Sequence, residues 1–504
     1  MTGEILLGLV MLIVMIGVIF VGFPISFTLI ILALGFGWVG LGDPVFDLAY
    51  LQILGLMKAE ELVAIPLFIF MGFLTEQAGL MERLFRAFRD LLAPVRGALY
   101  LGVILTATVF AMATGIVGAA VTVLGIMAAP IMIKSGYDAR MSAGAIAAGG
   151  TLGILVPPSV MLIVMGPVLG VPVTDLYAAS FGPGFLLAGM YITYTLARSF
   201  LNPKLGPPVP YEERVHDWWT IVREVFLGIV PLGLLISATL GSILMGIATP
   251  TEAAAVGAMG AFLLSVAYGR FTFANLKAAC VSSMNTSSMV LFLAVASNVF
   301  GAVFSRLGSA QWITDSLLAL PLPPALMLLL VLFLIFLLGW PFEWPAIVLV
   351  FLPIFYPIVA ALKFDLVWFG ALVAVVMQTA FLSPPVAMSA YYLKQVVPQW
   401  NLSTIYKGMF DFMGIQVICI LVVFAFPQIA TWLPTVLAEQ ARAERMAPPS
   451  EQELKDEADM MPSGSLEDYK GESTGGTAAE EPAAEEGKAE EGDPLEKGDA
   501  LQVK

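Results

Sequence analysis

Gly149-Gly150-Thr151-Leu152-Gly153-Ile154-Leu155-Val156-Pro157-Pro158-Ser159 sets a proline pair inside a long apolar run. Proline removes a backbone donor and its ring clashes with the preceding turn, so the pair interrupts a helix. In hydrocarbon a freed carbonyl costs several kcal/mol unless protein, water, an ion or a substrate takes it up. Gln378-Thr379-Ala380-Phe381-Leu382-Ser383-Pro384-Pro385-Val386-Ala387 repeats the arrangement. Two interrupted apolar helices in corresponding places point to the binding site of a transporter.

The rest of the chain fits that setting. Of 504 residues 59% are hydrophobic and 12% charged, the balance of a multi-span membrane protein. Many runs of about 20 apolar residues are long enough to cross a bilayer. The start Met1-Thr2-Gly3-Glu4 has no basic n-region, so the first apolar run is expected to be a retained span. The net charge of −14 belongs largely to the end, where Glu451 to Lys504 hold 17 acidic and 5 basic residues. Residues 437–504 are expected to be a disordered acidic tail. Cys280 and Cys419 lie in apolar segments, and His216, the one histidine, lies in a polar linker. Those residues give little from which to build a transition-metal site or a histidine-based triad, and no phosphate-binding loop motif occurs. No enzyme activity, organic cofactor or nucleic-acid partner is expected.

The chain divides into repeat 1 (1–202), a polar linker (203–220), repeat 2 (221–436) and the tail. In repeat 1, spans are expected at 5–21, 25–41, 62–74 and 176–200, with an acidic loop around Asp43, Asp47, Glu60 and Glu61. Residues 81–92, with Arg83, Arg86 and Arg89 beside Leu84, Phe85 and Phe88, suit an interfacial helix. Residues 97–134 read as a re-entrant hairpin with its tip at Ala113-Thr114-Gly115-Ile116-Val117-Gly118, and 139–170 as the first broken helix. Repeat 2 has spans at 225–244, 253–268, 281–304 and 405–433. Its hairpin, 323–359, turns at Gly339-Trp340-Pro341-Phe342-Glu343-Trp344, and its broken helix is 366–397. Pro157 and Pro384 are 227 positions apart, Pro24 and Pro250 are 226 apart, and the tips near Gly115 and Phe342 are 227 apart. Five crossings plus one hairpin per half is an odd count, which makes the halves inverted repeats. Arginine and lysine gather on one side, which is expected to be cytoplasmic and places both termini on the opposite side.

These landmarks resemble the large membrane subunit of tripartite ATP-independent periplasmic (TRAP) transporters, the DctM-like family. The resemblance is carried by Gly149 to Gly153 with Pro157-Pro158-Ser159, by Thr249-Pro250-Thr251-Glu252-Ala253-Ala254-Ala255, by Leu352-Pro353-Ile354-Phe355-Tyr356-Pro357 and by Ser383-Pro384-Pro385-Val386. It implies an all-α polytopic, elevator-type fold and sodium-driven import of an organic acid. It also implies a small four-helix membrane subunit and a periplasmic substrate-binding protein as partners. The chain departs from the family pattern at Ala113-Thr114-Gly115, at Glu343 and at Gln378. Its bulky second tip resembles the branch linked to 2-oxo acids or aromatic acids; a dicarboxylate is the other expectation.

Sodium takes oxygen ligands, which a helix break supplies as carbonyls and hydroxyls. The expected first-break ligands are Thr114, Gly115, Gly150, Thr151 and Gly153. Those of the second break are Gly339, Phe342, Gln378, Thr379 and Ser383. Half-helix N-termini suit a substrate carboxylate, with Pro158, Ser159, Glu343 and Pro385 as candidate contacts. The same glycines also suit close helix packing. Glu252 reads as part of a capping box behind Pro250, and Asn285, Ser287, Ser288 and Asn298 as helix contacts. An anion entering a negative-inside cell moves against about 2.3 kcal/mol per charge per 100 mV, which co-transported sodium reverses. The alternatives are a stand-alone sodium/carboxylate symporter of a related inverted-repeat family, an intramembrane enzyme and a channel. The enzyme would need paired catalytic groups at membrane depth, which the sequence does not offer.

Overall fold

Apolar runs punctuated by glycine and proline give helices with abrupt ends, and every regular element among the described residues is helical. The computed structural model describes residues 3–446 except 116, 210, 212, 213, 216, 341, 385 and 386, with only the main chain at Thr114 and 443–446. The described residues up to Ala441 form one compact unit, and beyond it the helix end to Met446 is described.

The first half runs α1 (Gly3–Phe20), α2 (Ile25–Leu41), α3 (Pro44–Met57), α4 (Ala64–Gln77), α5 (Leu80–Leu92), α6 (Ala98–Thr114), α7 (Val117–Lys134), α8 (Ala139–Thr151), α9 (Val160–Leu169) and α10 (Val173–Leu201). The second half runs α11 (Trp218–Leu244), α12 (Pro250–Ala267), α13 (Phe273–Arg306), α14 (Ser309–Leu318), α15 (Pro324–Leu338), α16 (Trp344–Ala361), α17 (Leu366–Leu382), α18 (Met388–Val396), α19 (Leu402–Ala425) and α20 (Gln428–Met446). By length and composition, eight helices among the described residues can cross a membrane, or nine if the bent pair 60–77 and 80–92 is one span. Two of the eight, α7 and α16, are hairpin arms.

Corresponding elements begin at nearly constant spacing. α2 and α12 are offset by 225 positions, α6 and α15 by 226, α7 and α16 by 227, and α8 and α17 by 227. Both broken helices open on an aspartate cap: Asp138 accepts from the Met141 amide at 2.8 Å, and Asp365 from the Trp368 amide at 2.9 Å. Such a cap satisfies one of the orphan amides of a first turn. Helices α5 and α14 are both entered through left-handed glycines, Gly79 at φ 72° and Gly308 at φ 76°.

The structure corrects three sequence expectations. The acidic loop after α2 is the helix α3, started by Pro44 in its first turn and held by buried Val45 and Ala49 one turn apart. With the turn Glu60–Val63 and α4, it corresponds to the single 34-residue helix α13. At 1.5 Å per residue α13 is about 51 Å long, more than a bilayer core of about 30 Å. The expected closing span 405–433 ends at Ala425, because Pro427 has no amide to continue the ladder, and a new helix starts at Gln428. That helix runs to Met446, so the expected tail boundary at 437 falls inside it. Beyond Met446 the tail lies outside the described residues, as does His216 of the linker.

Two bundles share the compact unit. α1 to α5 pack with α11 to α14, and α6 to α10 with α15 to α19; α6 also packs closely against α5 and α4, and α16 against α13 and α14. The first bundle is tied through Arg83 of α5, whose Nε and Nη2 reach the Glu224 carboxylate of α11 at 3.0 and 3.2 Å. Ser283 Oγ donates to the Pro66 carbonyl at 3.1 Å, and Asn298 Nδ2 to the Gln52 carbonyl at 3.0 Å. At Asn298, then, the polar stripe of α13 serves helix contacts. Glu252 is a cap: its amide donates to Thr249 Oγ1 at 3.3 Å, and its Oε2 accepts from the Thr249 amide at 2.8 Å. Thr249→Ala therefore lowers stability by about 1 kcal/mol, read as a lower thermal midpoint of the purified protein.

Candidate functional site

Each broken helix ends where its proline pair removes donors. After α8 the chain makes a short 3₁₀ turn, Leu152–Ile154, and stays irregular until α9 begins at Val160. After α17 it turns extended at Ser383 (φ −91°, ψ 127°) and reaches α18 through Ala387, at φ 26° and ψ 56°. Ala387 is fully buried and carries a side chain in the left-handed region, a conformation that costs on the order of 1–3 kcal/mol and clusters at functional sites.

The hairpin tips sit against these breaks. Gly115, at φ 60°, closes α6. A Cβ on it would stand 3.6 Å from the Pro158 carbonyl oxygen and 3.8 Å from that of Gly153. The break thus presents two carbonyl oxygens to the first tip. In the second half, a Cβ at Gly339 would fall 2.7 Å from Ala380 Cβ on the broken helix α17.

Between the tips lies one cavity of about 540 Å³. Four helices among the described residues begin on its wall: Val117 of α7, Val160 of α9, Trp344 of α16 and Met388 of α18. Each N-terminus carries free amides and a partial positive charge of about half a unit. Two come from each half, so the convergence follows from the repeat. The wall also holds Glu76 and Gln77 of α4, Thr122 of α7, Ser282 and Thr286 of α13, Tyr392 of α18 and Glu343. No lysine or arginine lines it among the described residues. A carboxylate entering this space would be met by main-chain amides, a ready anion-binding arrangement.

The expected site residues divide on this frame. Gly115 and Glu343 line the cavity. Gly153 and Pro158 offer carbonyls to the first tip. Gly150 is packed tightly: a Cβ there would meet Val121 Cγ2 at 2.3 Å. Thr151 is buried and donates to the Ala148 carbonyl at 2.8 Å, which leaves its oxygen able to accept. Ser159 donates to the Ile154 carbonyl at 2.6 Å, so its proton holds the break together and is not free for a carboxylate. Phe342 is buried against Phe351, with ring centroids 5.0 Å apart. Thr379 Oγ1 donates to the Val376 carbonyl at 2.6 Å. Gln378 Nε2 reaches the Ala374 carbonyl at 3.4 Å, while Gln378 Oε1 and Ser383 Oγ are buried without a hydrogen-bond partner. A buried oxygen left in that condition costs about 1–3 kcal/mol and suits a cation or water. Pro385 and the Thr114 side chain lie outside the described residues.

Glu76, Gln77, Ser282, Thr286 and Tyr392 escaped the sequence reading. The available signal was a carboxylate beside an apolar span, which marks a functional position by default; ending that span at Leu74 placed Glu76 outside it. Glu343→Gln removes one of the cavity's negative charges without changing its shape. If sodium and an anionic substrate are taken up through this cavity, it raises the sodium concentration for half-maximal uptake and lowers that for the anion, each by about fivefold for roughly 1 kcal/mol of Coulomb energy. Uptake titrated in both solutes reads the two opposed shifts.

The family model described as "Tripartite ATP-independent periplasmic transporter, DctM component" matches residues 12–429. A C4-dicarboxylate TRAP transporter large permease protein, DctM, of Rhodobacter capsulatus is 28% identical over 454 residues, covering 87% of this chain and all of that one. The sialic acid TRAP transporter large permease protein SiaM of Vibrio cholerae is 29% identical over 423 residues, covering 83% and 96%. The 2,3-diketo-L-gulonate TRAP transporter large permease protein YiaN of Escherichia coli is 27% identical over 417 residues, covering 82% and 95%. Among solved structures, the YdaH transporter of Alcanivorax borkumensis superposes with a TM-score of 0.55 at 16% identity, over 77% of this chain and 89% of that one. MtrF of Neisseria gonorrhoeae gives a TM-score of 0.52 at 14% identity, over 76% and 83%. At such identities the two structures speak for the fold alone.

Proposed function

Because the chain belongs to the DctM component family of the tripartite ATP-independent periplasmic transporters, as a large permease subunit and not an enzyme, we propose that it imports an organic acid together with sodium across a bacterial inner membrane. The observation that carries this reading is the convergence of four helix N-termini, two from each half, on one cavity without lysine or arginine among its described lining residues. A carboxylate is held there by amides and helix dipoles. The cations sit at the adjoining breaks, where the Gly153 and Pro158 carbonyls face one tip and Gln378 Oε1 and Ser383 Oγ lack partners near the other. Sodium next to the carboxylate offsets the charge of Glu76 and Glu343, so substrate and ion favour each other's binding. The broken helices pack chiefly with α6, α7, α10, α15 and α19, and movement of the site as a body against α1–α5 and α11–α14, with both termini periplasmic, is part of this reading.

The relatives are named for C4-dicarboxylates, sialic acid and 2,3-diketo-L-gulonate. All three names describe organic acids, and a carboxylate of that kind, such as a dicarboxylate or 2-oxo acid, is the substrate class here. The working assembly contains a small four-helix membrane subunit, and a periplasmic binding protein delivers the substrate. The test is uptake of an acid panel by proteoliposomes holding this chain and the small subunit, with and without the binding protein. Uptake that requires the binding protein supports the tripartite assembly. Full uptake without it makes the chain a stand-alone carrier.

A further inference from the structure

Three of the helix N-termini on the cavity wall have no side-chain cap. Ser159 stands at the cap position of α9, Glu343 at that of α16 and Ala387 at that of α18, and none of them accepts from the first-turn amides. The first arms of the same broken helices, α8 and α17, are capped by Asp138 and Asp365. An uncapped turn keeps several amides free, and these amides suit one carboxylate.

The rest of the wall is unsuited to a second one. Glu76 comes from α4 and Glu343 from the second tip, so two carboxylates reach the cavity from separate elements. Neither is paired with a lysine or arginine among the described residues. The start of a helix favours an acidic side chain, yet Glu343 makes no bond to the amides of α16. Gln77, beside Glu76, adds a buried Oε1 without a hydrogen-bond partner, a further acceptor. The wall hydroxyls can donate to a neutral group but carry no charge to balance an anion. Much of the remaining surface is apolar, from Ile69, Phe73, Met289, Trp344, Phe381 and Met388.

We infer that Glu76 and Glu343 are specificity-determining residues that restrict the substrate to acids with one carboxylate and an uncharged, partly apolar remainder. The inference narrows the organic-acid class proposed above and rests on that reading. The first carboxylate is held by the free amides. A second carboxylate on the same molecule finds no fixed positive charge on the wall and faces both glutamates within a space of about 540 Å³. Like charges so close repel appreciably where water is partly excluded. The apolar residues cover the body of a monoacid, whereas a carboxylate set against them loses its hydration without compensation.

Ligand-induced shifts of the thermal midpoint, at saturating sodium, read affinity in the purified permease with its small subunit. They bypass the choice made by a binding protein. The probes are matched pairs that differ by one carboxylate: butanoate with succinate, hexanoate with adipate, benzoate with phthalate. In the wild type the monoacid of a pair is expected to act at a concentration at least about tenfold below that of its diacid. Glu76→Gln and Glu343→Gln keep shape and remove one charge each. A diacid is relieved twice where a monoacid is relieved once, so each variant tightens the monoacid by about fivefold and the diacid by about 25-fold. The ratio within a pair thus moves about fivefold toward the diacid. A merely structural role would lower the midpoint without ligand and leave the ratio alone. If Glu76→Gln yields no folded protein, Glu343→Gln, at a hairpin tip, carries the test. The inference falls if the wild type binds diacids as tightly as monoacids, if it binds none of the probes, or if neither variant moves the ratio. Sodium-driven uptake of any organic acid by the same preparation then leaves the transport reading standing. Uptake of no organic acid overturns both.

Discussion

Gly115→Val abolishes sodium-dependent uptake, by at least about 100-fold, while the protein still assembles. Two effects add. Gly115 holds φ 60°, where a side chain costs about 1–2 kcal/mol and a β-branched one is a genuine outlier. The new side chain would also grow from a Cβ 3.6 Å from the Pro158 carbonyl and 3.8 Å from that of Gly153, into the space between tip and break. The first cost weakens the tip; the second removes the room in which a cation would meet those carbonyls. About 2.7 kcal/mol is a factor of 100, which strain plus loss of a ligand position supplies. The measurement is uptake set beside the thermal midpoint and the sodium response of the purified variant. Loss of uptake with the sodium-induced stabilisation diminished is the expected pair. Wild-type uptake by the valine variant removes the first break from the ion pathway.

Gly408→Leu prevents stable folding, and Gly408→Ala lowers stability by about 3 kcal/mol, the upper end of ordinary overpacking. A Cβ at Gly408 would lie 2.0 Å from the Arg140 carbonyl oxygen and 2.9 Å from the Gly144 amide nitrogen. The contact is mutual, because a Cβ at Gly144 would lie 2.7 Å from the Gly408 carbonyl oxygen. These are main-chain atoms and cannot rotate aside, so α8 and α19 must separate. Beside the crossing, Arg140 Nε and Nη2 meet the Asp411 carboxylate at 2.8 and 2.5 Å. The Arg140 side chain is 50% exposed and that of Asp411 23%, so the ion pair contributes about 0–1 kcal/mol. Asp411→Asn is accordingly mild where Gly408→Ala is severe. Thermal midpoints of the two variants in one detergent rank the effects; equal shifts would show that the ion pair, not the helix contact, holds α8 to α19.

Much of this fold was legible because proline and glycine act locally. Pro157-Pro158 and Pro384-Pro385 mark the breaks by what proline lacks, and the recurrence at 227 positions marks the halves. Hairpin tips are legible for the same reason. What the sequence hid depends on distance in space. The helix α3 was masked by Asp43 and Asp47, whose charge reads as loop although Pro44 and the Val45–Ala49 pair make a helix start. The cavity lining from α4 and α13 depends on how one bundle faces the other, which no local pattern states. Gly150 matched a site motif and proved to meet Val121, since close packing and exposed carbonyls ask for the same residue. Ser159 looked like a free donor because only the folded break shows its proton reaching Ile154.

The central claim is that cations held at the two breaks cross the membrane with the acid in the shared cavity. Labelled sodium entry, measured beside labelled substrate entry in the same proteoliposomes, tests it most directly. The account predicts that adding substrate and binding protein starts sodium entry in fixed proportion to the acid, and that Ser383→Ala lowers both together. Acid entry with no accompanying sodium would contradict it.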